Sequence, residues 1–185
     1  MIEALLAGSP TIADFQAIRA AYDNPYSLRP SGLAFLYWAA RQSDGSPILD
    51  IGSGLTTLVL GAAATFTGAH VHALEESADW KANLEALLVS EGLGNVTVYH
   101  APLVDGVYTR PELPPAFGVL SIDGPQSHVG REVAANLALP WCSGFALMDD
   151  PNLYNAIPDD LVSNRIFRPV KDLTVFVAAG PRAGD

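Results

Sequence analysis

From residue 45 onward, short apolar runs of strand length alternate with longer segments of helical periodicity. Glycine, proline or charged residues bound each run, which is typical of buried strands. The runs predict seven strands, at residues 48–51, 71–74, 96–99, 117–122, 145–148, 166–170 and 173–178. Because only a short connection separates the last two, we expect them to form an antiparallel hairpin.

Apolar residues at helical spacing fill most of the gaps between these runs and also precede the first of them. They predict helices over residues 12–21, 31–41, 55–64 and 129–139, and a further helix that Ser77 caps and that ends near Gly92. In that further helix Trp80, Leu84 and Leu88 share one apolar stripe. We therefore expect Trp80 to pack in the core, with the wall of a ligand pocket as the alternative.

This order of elements predicts an α/β fold with a mostly parallel seven-stranded sheet, helices on both faces and the hairpin at its C-terminal end. No repeat, low-complexity run or shift in composition divides the chain. We therefore expect one domain over residues 1–185, with helices in residues 1–44 and the sheet in residues 45–185.

Carboxylates follow four of the predicted parallel strands: Asp50, Glu75, Asp123 and the pair Asp149–Asp150. Ligands of open α/β sheets bind at the carboxyl ends of the strands, where the strand order reverses. These residues are therefore the first candidates for a ligand site.

The turn after the first strand has the composition of a nucleotide-binding loop. Gly52 and Gly54 allow the backbone to approach a ligand closely, and Glu75, at the end of the next strand, suits ribose hydroxyls. A dinucleotide fingerprint has glycine where this chain has Thr57, and Asp50 would repel a pyrophosphate. S-adenosylmethionine carries an ammonium group and no phosphate, so it fits this loop better than NAD.

Four segments resemble, in the same order, motifs of the class I S-adenosylmethionine-dependent methyltransferases. They are ILDIGSGLTTLVL, VHALEESADW, FGVLSIDGPQSH and GFALMDDPN, within about residues 45 to 155. The resemblance implies a Rossmann-like fold, methyl transfer to an acceptor by direct displacement, and S-adenosylmethionine as the cofactor. The cofactor-binding residues that it implies are Asp50, Gly52, Ser53, Gly54, Thr56, Glu75, Ala101 and Asp123.

Among these residues Glu75 would bind the ribose, and the backbone at Ala101 or at Leu103 would take the place of the acid that usually reads the adenine amino group. Asp123, His128 and Asp150 are the candidates for a base that activates the acceptor.

Catechol-type members of the family hold magnesium with carboxylates after the fourth and fifth strands, which Asp123 and Asp149–Asp150 follow in this chain. This chain has Asp149-Asp150-Pro151 where that group has Asp-Asn, so a role for magnesium is open but not favoured, and we assign no metal ligands.

Composition limits the remaining choices. The formal net charge of −10, with basic residues scattered, argues against nucleic acid and favours a small-molecule acceptor. Cys142 is the only cysteine, so an intramolecular disulfide and a thiolate-rich zinc site are excluded. Neither a secretory signal nor a membrane span is recognisable, which predicts a cytoplasmic protein. The oligomeric state, including a homo-oligomer, stays open.

Three hypotheses follow for the function. The preferred one is an S-adenosylmethionine-dependent methyltransferase acting on a small molecule. The second is a binding or assembly module of the same fold without methyltransferase activity, and the third is an NAD-dependent oxidoreductase.

Overall fold

The computed structural model describes residues 1–24, 27–125, 134, 138–149, 166–170 and 173–177. For the last two ranges the description is of the backbone strands alone. None of the described helices has the length and apolar character that crossing a lipid bilayer requires.

Three helices precede the sheet: α1 (Glu3–Leu6), α2 (Ile12–Tyr22) and α3 (Pro30–Arg41). A capping box starts α2, in which Asp14 accepts hydrogen bonds of 2.7 Å from both the backbone N–H and the hydroxyl of Thr11. Asp23 ends α2 in the left-handed conformation, with φ of 50°. The chain then turns back towards α3, which packs against α2 and against the first helix of the sheet region.

The described residues of the sheet region form two further helices, α4 (Leu55–Ala64) and α5 (Ala78–Ser90), and nine strands. The strands are β1 (Ile48–Ile51), β2 (Val71–Glu75), β3 (Val96–His100), β4 (Leu103–Val104), β5 (Val107–Tyr108), β6 (Phe117–Ile122), β7 (Cys142–Asp149), β8 (Ile166–Val170) and β9 (Leu173–Val177). A short 3₁₀ turn at Leu139–Trp141 leads into β7.

Seven strands form the main sheet in the order β3-β2-β1-β6-β7-β9-β8. The first five of these are parallel to one another, and β9 pairs antiparallel with both β7 and β8. The predicted mostly parallel sheet with a C-terminal hairpin is therefore confirmed. Strand order reverses between β1 and β6, which places a ligand-binding crevice beyond the carboxyl ends of those two strands.

Apolar side chains alternate between the two faces of the sheet. On one face Ile48, Val71 and Val98 join a large core cluster with residues of all five helices, among them Leu58 and Leu84. On the other face a smaller cluster contains Leu49, Leu120 and Met148, with Tyr108 and Leu113 packed against it. The helix predicted at residues 129–139, which would cover this second face, lies mostly outside the described residues.

The small antiparallel pair of β4 and β5 was absent from the sequence prediction. Its strands are two residues long, and a run that short shows no measurable periodicity. The pair carries Tyr108 to the same end of the sheet as the carboxyl ends of β1 and β6.

Candidate functional site

The loop between β1 and α4 runs directly against the loop that follows β6. The Ile51 carbonyl accepts hydrogen bonds of 2.8 Å from the N–H groups of both Asp123 and Gly124. Gly52 follows with φ of +89°, and a β-carbon there would overlap the backbone of Gly124. The first glycine of the motif is thus required by the contact between these two loops.

Asp50 lies fully buried beneath this loop and is not among the described residues that line the cavity. Its Oδ2 accepts hydrogen bonds from the hydroxyls of Thr56, at 3.0 Å, and Thr57, at 2.7 Å. Its Oδ1 has no hydrogen-bond partner among the described residues. Burial raises the pKa of Asp50 to about 6, although the hydroxyls of Thr57, Ser121 and Thr56 oppose the rise.

Glu75, at the end of β2, is held on both of its carboxylate oxygens. Ser53 donates its hydroxyl hydrogen to Oε2 at 2.6 Å, and the Ser77 backbone N–H donates to Oε1 at 2.8 Å. Only 7% of Glu75 is exposed, and it lines the cavity. Each carboxylate oxygen can accept a further hydrogen bond, so the group can receive two ligand hydroxyls.

Trp80 lies beside Glu75 and not in the core, so the expectation from the apolar stripe was wrong. Leu84 and Leu88 are buried as predicted, but Trp80 is in the first turn of α5, where its ring lines the cavity. The indole N–H donates to the Ser53 carbonyl at 3.1 Å. The ring packs edge-to-face on Tyr22, with centroids 6.3 Å apart.

These elements enclose a cavity of about 370 Å³ at the carboxyl ends of β1, β2 and β6. Its described lining comes from the loop after β1 and the start of α4, the end of β2 and the start of α5, the end of α2 and the connection to α3, β5 and the turn after β6. The lining residues are Tyr22, Asn24, Ser27, Leu28, Gly52, Ser53, Gly54, Leu55, Thr56, Glu75, Glu76, Ser77, Trp80, Tyr108 and Asp123. The cavity is thus at the position that the reversal of strand order indicates.

Most of the predicted cofactor residues meet in this cavity: Gly52, Ser53, Gly54, Thr56, Glu75 and Asp123. Ala101 does not. It is fully buried in the second core cluster, and its N–H donates to the Glu75 carbonyl at 2.7 Å. Its backbone donor is therefore already used within the sheet. Two of the predicted catalytic residues, His128 and Asp150, lie outside the described residues.

Glu76 is a cavity residue that the sequence analysis missed. Its Oε2 is buried without a hydrogen-bond partner among the described residues, and burial together with the charge of Glu75 raises its pKa. Its position directly after the ribose-binding candidate was a sequence signal for it. The residues at the end of α2 gave no such signal, because they belong to no motif, and the structure alone shows that Tyr22, before the left-handed turn at Asp23, lines the cavity.

The electrostatic character of the cavity is acidic. Its described lining includes three carboxylates, Glu75, Glu76 and Asp123, and no lysine, arginine or histidine. Burial raises the pKa of the Tyr22 hydroxyl to about 12, and the charges of Glu75 and Asp50 contribute to this rise. In the described part of the chain no three potential ligand side chains are grouped to hold a metal ion. Such a surface attracts cationic ligands and repels phosphates.

Neither protein-family models nor curated protein sequences match this chain. Solved structures do match it. The methyltransferase PaMTH1 of Podospora anserina, bound to S-adenosylhomocysteine, shares 16% identity over 90% of this chain and 87% of its own, with a TM-score of 0.63. The O-methyltransferase TomG of Streptomyces achromogenes, in complex with S-adenosylmethionine, shares 14% identity over 91% and 89%, with a TM-score of 0.61.

An O-methyltransferase of Bacillus cereus, in complex with S-adenosylhomocysteine, shares 16% identity over 96% of this chain and all of its own, with a TM-score of 0.59. The chain has a methyltransferase fold. The fold that the four sequence motifs implied is thereby confirmed. At these identities the likeness concerns the methyltransferase fold alone, and the ligand and the reaction are inferred from the cavity below.

Proposed function

We propose that this chain is an S-adenosylmethionine-dependent methyltransferase that acts on a small-molecule acceptor. The observation that carries the proposal is the position of Glu75, whose carboxylate is held on both oxygens at the edge of a cavity next to a glycine loop. A nucleoside whose ribose binds Glu75 has its remaining atoms within reach of that loop. The fold of known methyltransferases supports this assignment.

The residues of the cavity fit the charge of S-adenosylmethionine. Its ammonium and sulfonium groups favour an acidic surrounding, and its carboxylate suits the N-terminus of α4, because the first N–H groups of a helix have no intrahelical partners. Asp50 supports the same reading, because its unpartnered buried oxygen gains from a nearby cation. A β-carbon on Gly54 would lie 3.4 Å from the Tyr22 hydroxyl, at ordinary van der Waals contact, so Gly54 faces the Tyr22 side of the cavity.

S-adenosylmethionine supplies an electrophilic methyl group, and the protein has to hold the acceptor in line with it. We propose Gly52, Ser53, Gly54 and Thr56 for the methionine end and Glu75 for the ribose. Asp123 lines the same cavity and is the described candidate for orienting an acceptor or receiving its proton. His128 and Asp150 remain proposals for the same step on the grounds of sequence alone.

The acidic lining also separates this proposal from an NAD-dependent oxidoreductase. A dinucleotide would bring its pyrophosphate to the β1 loop, close to Asp50 and Glu75, and no described cavity residue offers a compensating positive charge. The same repulsion disfavours phosphorylated or nucleic-acid acceptors. A neutral or cationic small molecule is the acceptor class that fits.

Calorimetric titration with S-adenosylmethionine, S-adenosylhomocysteine and NAD tests the cofactor. We expect micromolar binding of the two adenosyl compounds and none of NAD. Glu75→Gln should weaken S-adenosylhomocysteine binding about tenfold or more, because hydrogen bonds to a charged group are worth about 1.5–3 kcal/mol each. Glu85→Gln, on the exposed side of α5, is the matched control and should bind normally.

Transfer of a labelled methyl group to a panel of small amines, phenols and acids then tests the reaction. Turnover of at least one acceptor supports a methyltransferase. Tight adenosyl binding with no turnover of any acceptor would instead favour a binding module of this fold. Binding of NAD in preference to both adenosyl compounds would refute the proposal.

A further inference from the structure

Four hydrogen bonds join Glu75, Ser53, Trp80 and Ser77 in a closed ring, which we call the Glu75 circuit. Ser53 donates its hydroxyl hydrogen to Glu75 at 2.6 Å, and its carbonyl accepts from the Trp80 indole at 3.1 Å. The Trp80 backbone N–H donates to the Ser77 hydroxyl at 3.2 Å. The Ser77 backbone N–H then donates to the other oxygen of Glu75 at 2.8 Å.

The circuit connects two separate segments of the chain. Ser53 belongs to the glycine loop after β1, whereas Glu75, Ser77 and Trp80 belong to the end of β2 and the start of α5. The hydrogen bond from the Trp80 indole N–H to the Ser53 carbonyl links the loop to the start of α5 and completes the ring. Without it, the hydrogen bonds of Ser53 to this segment would, among the described residues, be reduced to that of its hydroxyl with Glu75, and the loop carbonyl would lose its partner in the circuit.

We propose that Trp80 is a positioning residue, which through Ser53 fixes the orientation in which Glu75 receives the two hydroxyls of a ribose. This inference rests on the proposed function, because it concerns the same cavity and the same adenosyl ligand. Both oxygens of Glu75 are already engaged on one side, which leaves one acceptor direction on each for the ligand. Discrimination between a ribose and a deoxyribose therefore depends on the bonds that hold the carboxylate.

The edge-to-face contact with Tyr22 gives the indole a second constraint. The ring planes are inclined at 84°, so the Tyr22 ring limits rotation of Trp80 away from the Ser53 carbonyl. A phenylalanine at position 80 would keep this aromatic contact and the cavity wall but would lack the N–H. The exchange of Trp80 for phenylalanine thus removes the hydrogen bond with little loss of packing.

The test compares binding of S-adenosylhomocysteine with binding of its 2′-deoxy and 3′-deoxy analogues. The wild-type protein should prefer the ribose compound over each analogue about tenfold or more, since each analogue lacks one hydrogen bond to a carboxylate. In Trp80→Phe this preference should fall to about threefold or less, through weaker binding of the ribose compound. Trp38→Phe, an exposed tryptophan on α3, is the control and should keep the wild-type preference.

A double-mutant cycle with Ser53→Ala distinguishes positioning from a local packing effect. If Trp80 acts through Ser53, the double variant should lose no more of the ribose preference than either single variant. Additive losses, or a Trp80→Phe variant that weakens binding of all three compounds equally, would overturn the inference. Thermal unfolding is measured for each variant; if Trp80→Phe does not fold, Ser53→Ala alone must lose the ribose preference, and an unchanged preference refutes the role of the circuit.

The outcomes also separate this inference from the proposed function. If the wild-type protein binds none of the adenosyl compounds, the proposed function and the circuit both fail. If it binds them with a clear ribose preference that Trp80→Phe leaves unchanged, the proposed function stands and the role of Trp80 fails.

Discussion

The backbone of Gly52 packs directly on the backbone of Gly124, so that the turn after β1 and the turn after β6 touch without an intervening side chain. A β-carbon on Gly52 would overlap the amide nitrogen of Gly124. Gly54, two residues later, differs, because a β-carbon there would approach only the Tyr22 hydroxyl, at 3.4 Å. Both glycines line the cavity, but only Gly52 is also required by the contact between the two turns.

Gly52→Ala should destabilise the fold by an amount on the order of 3 kcal/mol, from the backbone overlap and the unfavourable positive φ together. Gly54→Ala should leave the unfolding temperature almost unchanged, since its β-carbon has room, and should weaken S-adenosylhomocysteine binding about tenfold, equivalent to 1.4 kcal/mol. Thermal unfolding and calorimetry on both variants check this pair. Equal stability of the two variants would contradict the special requirement for glycine at position 52.

Asp50→Asn should make the protein more stable at neutral and higher pH. The pKa of about 6 lies above the ordinary value of 3.8, so the folded protein binds the proton more tightly than the unfolded chain does. Above about pH 6 the buried charge therefore costs stability, at most about 3 kcal/mol for a rise of this size. Asparagine removes the charge and can still accept from Thr56 and Thr57.

The variant and the wild type are compared by denaturant unfolding at several pH values. We expect the advantage of Asp50→Asn to be largest at about pH 8, to shrink as the pH falls through about 6 and to vanish below the ordinary value of 3.8, where the wild-type residue is protonated in both states. An advantage that does not change with pH would show that the charge is not its origin. A buried charge retained at such a cost is consistent with a functional role.

The affinity for S-adenosylmethionine should fall as the pH drops below about 6, because a cationic ligand favours the ionised form of Asp50. With one proton involved, the affinity can fall by at most about tenfold for each pH unit. The fall should level off below the pKa that Asp50 has in the complex, where the carboxyl group is protonated with the ligand bound as well. Calorimetry at a series of pH values measures the slope. Asp50→Asn should bind more weakly with no such dependence, and a wild-type affinity that is constant down to about pH 5 would argue against this prediction.

The parallel sheet and the position of the site could both be predicted from the sequence. Short apolar strands with glycine or charged ends show a clear pattern, and the rule of strand ends led to Asp50, Glu75 and Asp123. The helical stripe did not predict the position of Trp80. A tryptophan four residues before Leu84 fits such a stripe whether or not the first turn of the helix reaches the core. The role of Ala101 at the adenine stays a prediction, because the sheet uses its N–H whereas an adenine amino group needs its carbonyl as the acceptor.

Removal of divalent metal should leave turnover unchanged. The metal-dependent group has Asp-Asn at the end of the strand that corresponds to β7, and here Pro151 follows Asp149 and Asp150. The asparagine of that group is therefore replaced, by Asp150 or by Pro151 according to the alignment, and its ligand set is not reproduced here. Methyl transfer measured with EDTA and with added magnesium should give the same rate. Loss of activity with EDTA and its return with magnesium would reverse this conclusion.

His72 should make the protein sensitive to mild acid. Its Nδ1 lies 3.0 Å from the Tyr99 hydroxyl, its ring stacks on that of Tyr99, and burial and the nearby His70 lower its pKa below the ordinary value of 6.5. Because the unfolded chain then binds the proton more readily, the folded state is fully favoured above about pH 6.5 and loses stability as the pH falls through that value.

The matched variants for this effect are His72→Phe, which keeps an aromatic ring between its neighbours, and His100→Gln at an exposed position of β3. The free energy of unfolding, measured between about pH 7.5 and pH 5, should decline less steeply in His72→Phe than in the wild type. His100→Gln should follow the wild-type curve. If His72→Phe also follows it, the acid sensitivity arises elsewhere, and the contact between His72 and Tyr99 stabilises the sheet without any linkage to protons.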